Sequence, residues 1–113
     1  MSADPVLTVL VLDRGTTVEV LLAGDLDTEA EDQLRAVVTR ILIDPQVRLI
    51  EVDMSLVGFC DSSGLTGLIR ARNQADGYGV ALRLARVGPR LRRLLDLTGL
   101  WDAFDGTGAE DAP

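Results

Sequence analysis

Two short segments hold most of the side chains that could do chemistry. Gly24-Asp25-Leu26-Asp27 offers a pair of carboxylates, and Cys60-Asp61-Ser62-Ser63-Gly64 offers a thiol, a carboxylate and adjacent hydroxyls. A serine nucleophile is the first chemistry to test. The nucleophile elbow reads G-x-S-x-G, and around Ser62 only Gly64 fits, with Cys60 at the other glycine position. The chain has no histidine, and all 11 basic residues are arginine. A Ser-His-Asp triad, a histidine metal ligand, a Schiff-base lysine and a P-loop lysine are therefore excluded. Asp25, Asp27 and Asp61 could hold magnesium for phosphotransfer to a carboxylate. Such receiver-type sites also need a lysine to meet the phosphoryl group, and an initial hairpin does not suit their topology. No catalytic residue, metal or cofactor is assigned. The lone Cys60 gives neither a disulfide framework nor a cysteine-based zinc site, and it reads as a small buried hydrophobe.

Ser62 has two readings that the residues alone leave open. Asp or Ser ahead of a helix is commonly an N-cap and nothing more. Asp61 and Ser62 cannot both be the cap. If Asp61 caps, Ser62 falls in the first turn with a free hydroxyl, where a phosphate would be well received by the helix dipole.

The elements that would position these segments follow from pattern. Val6–Leu12 and Thr17–Ala23 read as strands around an Asp13-Arg14-Gly15-Thr16 turn, an antiparallel hairpin. Thr28 and Glu31 fit a capping box, and Ala30, Leu34, Val37, Val38 and Ile41 share one helical face, closed by Asp44-Pro45. Val47–Val52 is a third strand, and apolar Leu56–Cys60 leads into Asp61. A second helix follows with Leu65, Leu68, Ile69 and the Arg72 stem inward, ending at Asp76-Gly77. Val80–Ala85 is a fourth strand. Gly88-Pro89 starts a third helix with a Leu91, Leu94, Leu95 stripe and Gly99 at its C′ position. The order β-β-α-β-α-β-α predicts one α/β domain: a mixed, mostly parallel sheet with an antiparallel edge strand and helices packed against it. In such sheets sites lie beyond the carboxyl ends of parallel strands, which places Asp27 and Ser62 on one rim if their strands are neighbours.

The 113 residues suffice for one core, and with 4% aromatics that core must be aliphatic. Trp101 and Phe104 read as core anchors. The net charge of −7 argues against a nucleic-acid or anionic membrane surface, which need a basic footprint. No secretory signal opens the chain and no apolar run approaches ~18 residues, so the cytoplasm is the expected compartment. Arginines between Arg83 and Arg93, with Arg90, Arg92 and Arg93 on the third helix, read as a solvated face or as a docking surface for an acidic partner. Residues 1–104 are expected to be the domain and 105–113 a frayed acidic tail.

Phe59-Cys60-Asp61-Ser62-Ser63-Gly64-Leu65 resembles the switch motif of the bacterial anti-sigma factor antagonists, the STAS-domain family. Gly24-Asp25-Leu26-Asp27 is similar to that family's Gly-Glu-Leu-Asp loop. Arg92 through Leu100 resembles its third helix and the following turn. The resemblance implies a STAS fold and a non-enzymatic role. An unphosphorylated antagonist binds an anti-sigma factor, itself a serine kinase, and releases a sigma factor. Phosphorylation of the serine matching Ser62 ends the binding, and a serine phosphatase reverses it. By the same resemblance Asp61 caps the second helix, Asp27 lines the rim, Ser63 and Gly64 form the first turn, and Thr66, Arg70 and Asn73 face the partner. Thr66 stands where some relatives have glycine. Gly106–Pro113 lacks the pattern of the further strand and helix of longer relatives. STAS domains also serve in lipid-transport and stress-sensing complexes without a used phosphoswitch, which is the alternative role.

Overall fold

The hairpin at the start sets the first edge of the sheet. In the computed structural model, which describes residues 7–104, β1 (Leu7–Asp13) runs antiparallel to β2 (Thr17–Leu26), with Leu10 opposite Leu21 and Leu12 opposite Glu19. Gly15 takes the left-handed conformation the turn requires, φ 91°, and its N–H donates to Asp13 Oδ1 at 2.9 Å. Helix α1 (Thr28–Leu42) carries the chain to β3 (Leu49–Cys60), α2 (Ser62–Asp76) to β4 (Ala81–Ala85), and α3 (Pro89–Leu97) follows, then a 3-10 turn at Asp102–Phe104. Strand order is β1-β2-β3-β4, with β2, β3 and β4 parallel. Val6 and the segment 105–113, expected as strand start and tail, lie outside the described residues.

Both parallel connections step in the same direction across the sheet. Right-handed crossovers then place α1 and α2 on the same face. Burial agrees: Val18, Val20 and Leu22 of β2, Ile50, Val52 and Met54 of β3, and Leu82 and Leu84 of β4 form one cluster with Ala30, Leu34 and Val38 of α1 and Leu65, Leu68 and Ala71 of α2. The core is aliphatic, with Phe104 its one fully buried aromatic; Trp101 is half-buried beneath the Arg92 guanidinium, 4.2 Å from its ring centre. The opposite sheet face stays open, with Leu10, Leu12 and Leu56 exposed beside the half-buried ion pair Arg83–Glu51.

Two expectations need correction. Leu56–Cys60 is no separate segment: β3 is a single 12-residue strand. The alternation of buried and half-buried positions holds through Met54 and is lost at Ser55-Leu56, because the register against β2 shifts between Asp53 and Leu56, where Asp53 Oδ1 takes the Ser55 N–H at 2.9 Å. The α1 cap is also shifted. Asp27 is extended (φ −127°, ψ −164°) and its Oδ1 accepts from Glu29 N–H at 3.1 Å and Ala30 N–H at 3.3 Å, so Asp27 caps and Thr28 is already helical. Glu31 reaches instead to Arg70 of α2. At the far end, Gly99 has φ 74° and Leu100 N–H donates to the Leu95 carbonyl at 2.8 Å, which closes α3 as a glycine at C′ should. Of the expected α3 stripe only Leu95 is fully buried, while Leu91 and Leu94 are half-buried.

Candidate functional site

Strands β2 and β3 end side by side. Leu26 pairs with Cys60, and the Asp61 N–H donates to the Leu26 carbonyl at 3.3 Å. Each strand is followed by an aspartate that caps the next helix. Asp61 is extended (φ −98°, ψ −171°), and its Oδ1 accepts the Gly64 N–H at 2.9 Å. The capping position is thus taken, and Ser62 becomes the first residue of α2. Its side chain is exposed, and its hydroxyl makes no hydrogen bond among the described residues. The Ser62 carbonyl accepts from Thr66 Oγ1 at 2.9 Å, which steadies the first turn. No acidic residue lies in that turn, so the positive end of the helix is left uncompensated except by the Asp61 cap.

Gly64 explains how the helix start is held. A Cβ there would lie 2.1 Å from the Leu26 carbonyl oxygen and 2.7 Å from Leu26 Cβ. Glycine is required because the end of β2 and the first turn of α2 share that space. Gly64 is buried, so its place is inside the packing and not on the outer surface. Gly67 extends the same logic: a Cβ would touch the Glu31 backbone at 3.4 Å, so α1 and α2 pack closely. Glu31 then meets Arg70, and Gln74 Nε2 donates to Thr39 Oγ1 at 2.7 Å, tying the two helices along their outer edges.

Ser62, Thr66, Arg70 and Asn73 are all exposed and lie at helical spacing on one outer stripe of α2. Ser63 is half-buried, as is Asp27, which ends the neighbouring strand on the same rim. Sequence reasoning gave Glu31 a capping role and did not foresee that it neutralises Arg70, nor that Phe59 is exposed two residues before Asp61. The small residues Gly64, Gly67, Ala71 and Ala75 at helical spacing were the available signal of close helix packing. Asp25 is exposed, and its Oδ1 would lie 3.3 Å from a Cβ at Gly58. Among the described residues no three His, Cys, Asp or Glu side chains gather as a metal site. Asp27 and Asp61 already hold backbone N–H groups. Cys60 is half-buried, and burial, helped by the Asp61 carboxylate, pushes its thiol up to about 11, so it is a poor nucleophile at neutral pH. Among the described residues no helix is long and apolar enough to cross a membrane.

Comparison with known proteins agrees with this architecture. The STAS domain family matches residues 9–110. An anti-sigma-B factor antagonist of Staphylococcus aureus is 35% identical over 98 residues, spanning 81% of this chain and 87% of the relative. The crystal structure of an anti-sigma factor antagonist from Mycobacterium paratuberculosis superposes with a TM-score of 0.71 at 28% identity, covering 92% of this chain and 87% of that one. A sulfate transporter family protein from Wolinella succinogenes shares the fold alone, with a TM-score of 0.69 at 21% identity over 79% of this chain and 71% of that one. By its family match, its relatives and its strand and helix order, the chain belongs to the STAS-domain family of anti-sigma factor antagonists.

Proposed function

We infer that this protein binds an anti-sigma factor, thereby releasing a sigma factor, and that phosphorylation of Ser62 switches the binding off. The observation that carries the reading is the exposed, unpartnered Ser62 hydroxyl at the first position of α2, left free because Asp61 takes the capping role. The names of its relatives supply the partner class. The chain contributes an acceptor and a surface, not catalytic groups. Ser62 Oγ attacks the γ-phosphorus of ATP held by the anti-sigma factor, ADP leaves, and the hydroxyl proton passes to a base on that partner. A serine phosphatase restores the hydroxyl by hydrolysis. The outer stripe of Thr66, Arg70 and Asn73 continues the contact surface from Ser62, with Asp27 on the adjoining rim and Ser63 and Gly64 forming the turn that presents the hydroxyl. Residues 1–104 act as the functional domain, in the cytoplasm, with 105–113 as an appendage.

The energetics suit a local switch. A phosphate adds about −1.5 to −2 charge at neutral pH. Two unit charges ~6 Å apart interact by roughly 3 kcal/mol at an effective dielectric of ~20. Repulsion of that size changes affinity about 100-fold without any refolding. The test is incubation of the protein with its anti-sigma factor and ATP, read by intact and fragment mass. A gain of one phosphate located on Ser62, lost in Ser62→Ala, is expected, with Ser62→Asp binding the anti-sigma factor about 100-fold more weakly. Phosphate on Ser63, or full binding by Ser62→Asp, would overturn the reading.

A further inference from the structure

Strand β4 accompanies β3 only from Leu49 to Asp53. Beyond that point β3 keeps β2 on one side, from Leu56 opposite Ala23 to Cys60 opposite Leu26. On its other side no strand of the described residues pairs with Met54–Cys60. The chain leaves β4 at Ala85, turns at Arg86 with φ 55°, and returns as α3 at Pro89. A groove of about 580 Å³ lies between the unpaired β3 edge and the start of α3. Val57 and Phe59 line it from the strand, Leu91 and Leu94 from the helix, and Arg86 and Arg90 stand on its wall. Among the described residues no carboxylate lines it, in a chain whose net charge is −7. Arg86 is paired with Asp53 at 3.0 Å, whereas Arg90 makes no ion pair among the described residues.

We propose that this groove binds an extended, acidic segment of a protein partner, which adds as a strand to the free edge of β3 alongside α3. An unpaired strand edge presents backbone donors and acceptors that another chain can use. Soluble proteins usually guard such edges with charge or cover them, yet Met54–Cys60 contains no charged residue. Strand addition supplies affinity through the main chain, and pockets beneath alternate side chains supply selectivity. Here Val57, Leu91 and Leu94 would take the inward side chains of the segment. Phe59, 55% exposed on its own, would be covered. Arg90 would meet a carboxylate, which makes the segment acidic. Cys60 borders the groove two residues before Ser62, so the segment would end beside the helix start. The proposal does not depend on phosphorylation of Ser62.

The test is selection of a phage-displayed random dodecapeptide library on the full chain. Enriched peptides should carry Asp or Glu among alternating apolar residues, and amide shifts on binding should map to Met54–Cys60 and Pro89–Leu94. Arg90→Glu should weaken the best peptide about tenfold, and Phe59→Ala, an exposed site that leaves the core intact, should also weaken it. N-methylation of alternate peptide amides should abolish binding in one register and spare it in the other. No enrichment of such sequences, equal binding by Arg90→Glu, or indifference to N-methylation would overturn the proposal. So would a dimer in light scattering that Phe59→Ala converts to monomer, since the groove would then be filled by a second copy.

Discussion

A single hydrogen bond decides what Ser62 can be. With Asp61 Oδ1 on the Gly64 N–H, the serine is relieved of capping and its hydroxyl faces outward. Aspartate caps as well as serine does, so the order Asp-Ser at this boundary separates the structural role from the exposed one. Gly64 is the other residue with little freedom. The clash awaiting any Cβ is with the Leu26 backbone carbonyl, which cannot rotate aside. Gly64→Ala should therefore cost about 3 kcal/mol in urea unfolding, the upper range for overpacking. It should also displace the Ser62 turn, seen as amide shift changes at Asp61–Leu65. A loss below about 0.5 kcal/mol would show that the helix start is loosely held, since that is the range of neutral surface substitutions.

Among the elements, β3 does the most work for the site. It brings Cys60 level with Leu26, so the two capping loops meet, and its early parting from β4 opens the groove. The irregular stretch in its middle is held by Asp53. Burial opposes ionisation of that carboxyl, but the Ser55 hydroxyl and N–H and the Arg86 guanidinium together outweigh it and hold its pKa below the ordinary value. A depressed folded pKa means the stabilisation is present above the unfolded value of about 3.9 and is lost as pH falls through the folded value. Wild type should exceed Asp53→Asn by about 1 kcal/mol at pH 6, given an ion-pair partner that is largely exposed. The gap should shrink below about pH 4, by urea titration at each pH. A constant gap from pH 6 to pH 2.5 would mean that ionisation of Asp53 contributes nothing.

At the scale of the molecule, the rim is the edge of a tightly built sandwich and not a hinge. The first turn of α2 rests on the end of β2, and α1 and α2 are tied by Glu31–Arg70 and Thr39–Gln74. On such a frame, a charge added at the exposed Ser62 is expected to leave the fold unchanged. Ser62→Asp should shift the melting temperature by less than about 3 °C, consistent with a surface change under 0.5 kcal/mol in a domain of this size. Its amide shift changes should stay within the two capping loops and the first turn of α2. Widespread shift changes across β1 or α3 would instead show that the added charge rearranges the fold.

The order of strands and helices was legible in sequence because strong apolar periodicity and glycine or proline breaks are local properties. The absence of histidine and lysine excluded whole reaction classes without any geometry, and the order Asp61-Ser62 already allowed a serine left free of capping. Three things were not legible. The α1 cap fell on Asp27 and not Thr28, because backbone angles choose between adjacent side chains of similar capping power. The continuity of β3 through Asp53-Met54-Ser55 rested on a register shift against β2, a property of two strands together. The demand for glycine at position 64 came from the Leu26 carbonyl, which is distant in sequence and close only once β2 and β3 lie side by side. Residue types and periods are written in one dimension and determine which elements form and which chemistry is possible. Contacts between strand ends, and the edge that β4 leaves unpaired, depend on distances that exist only after the sheet has assembled.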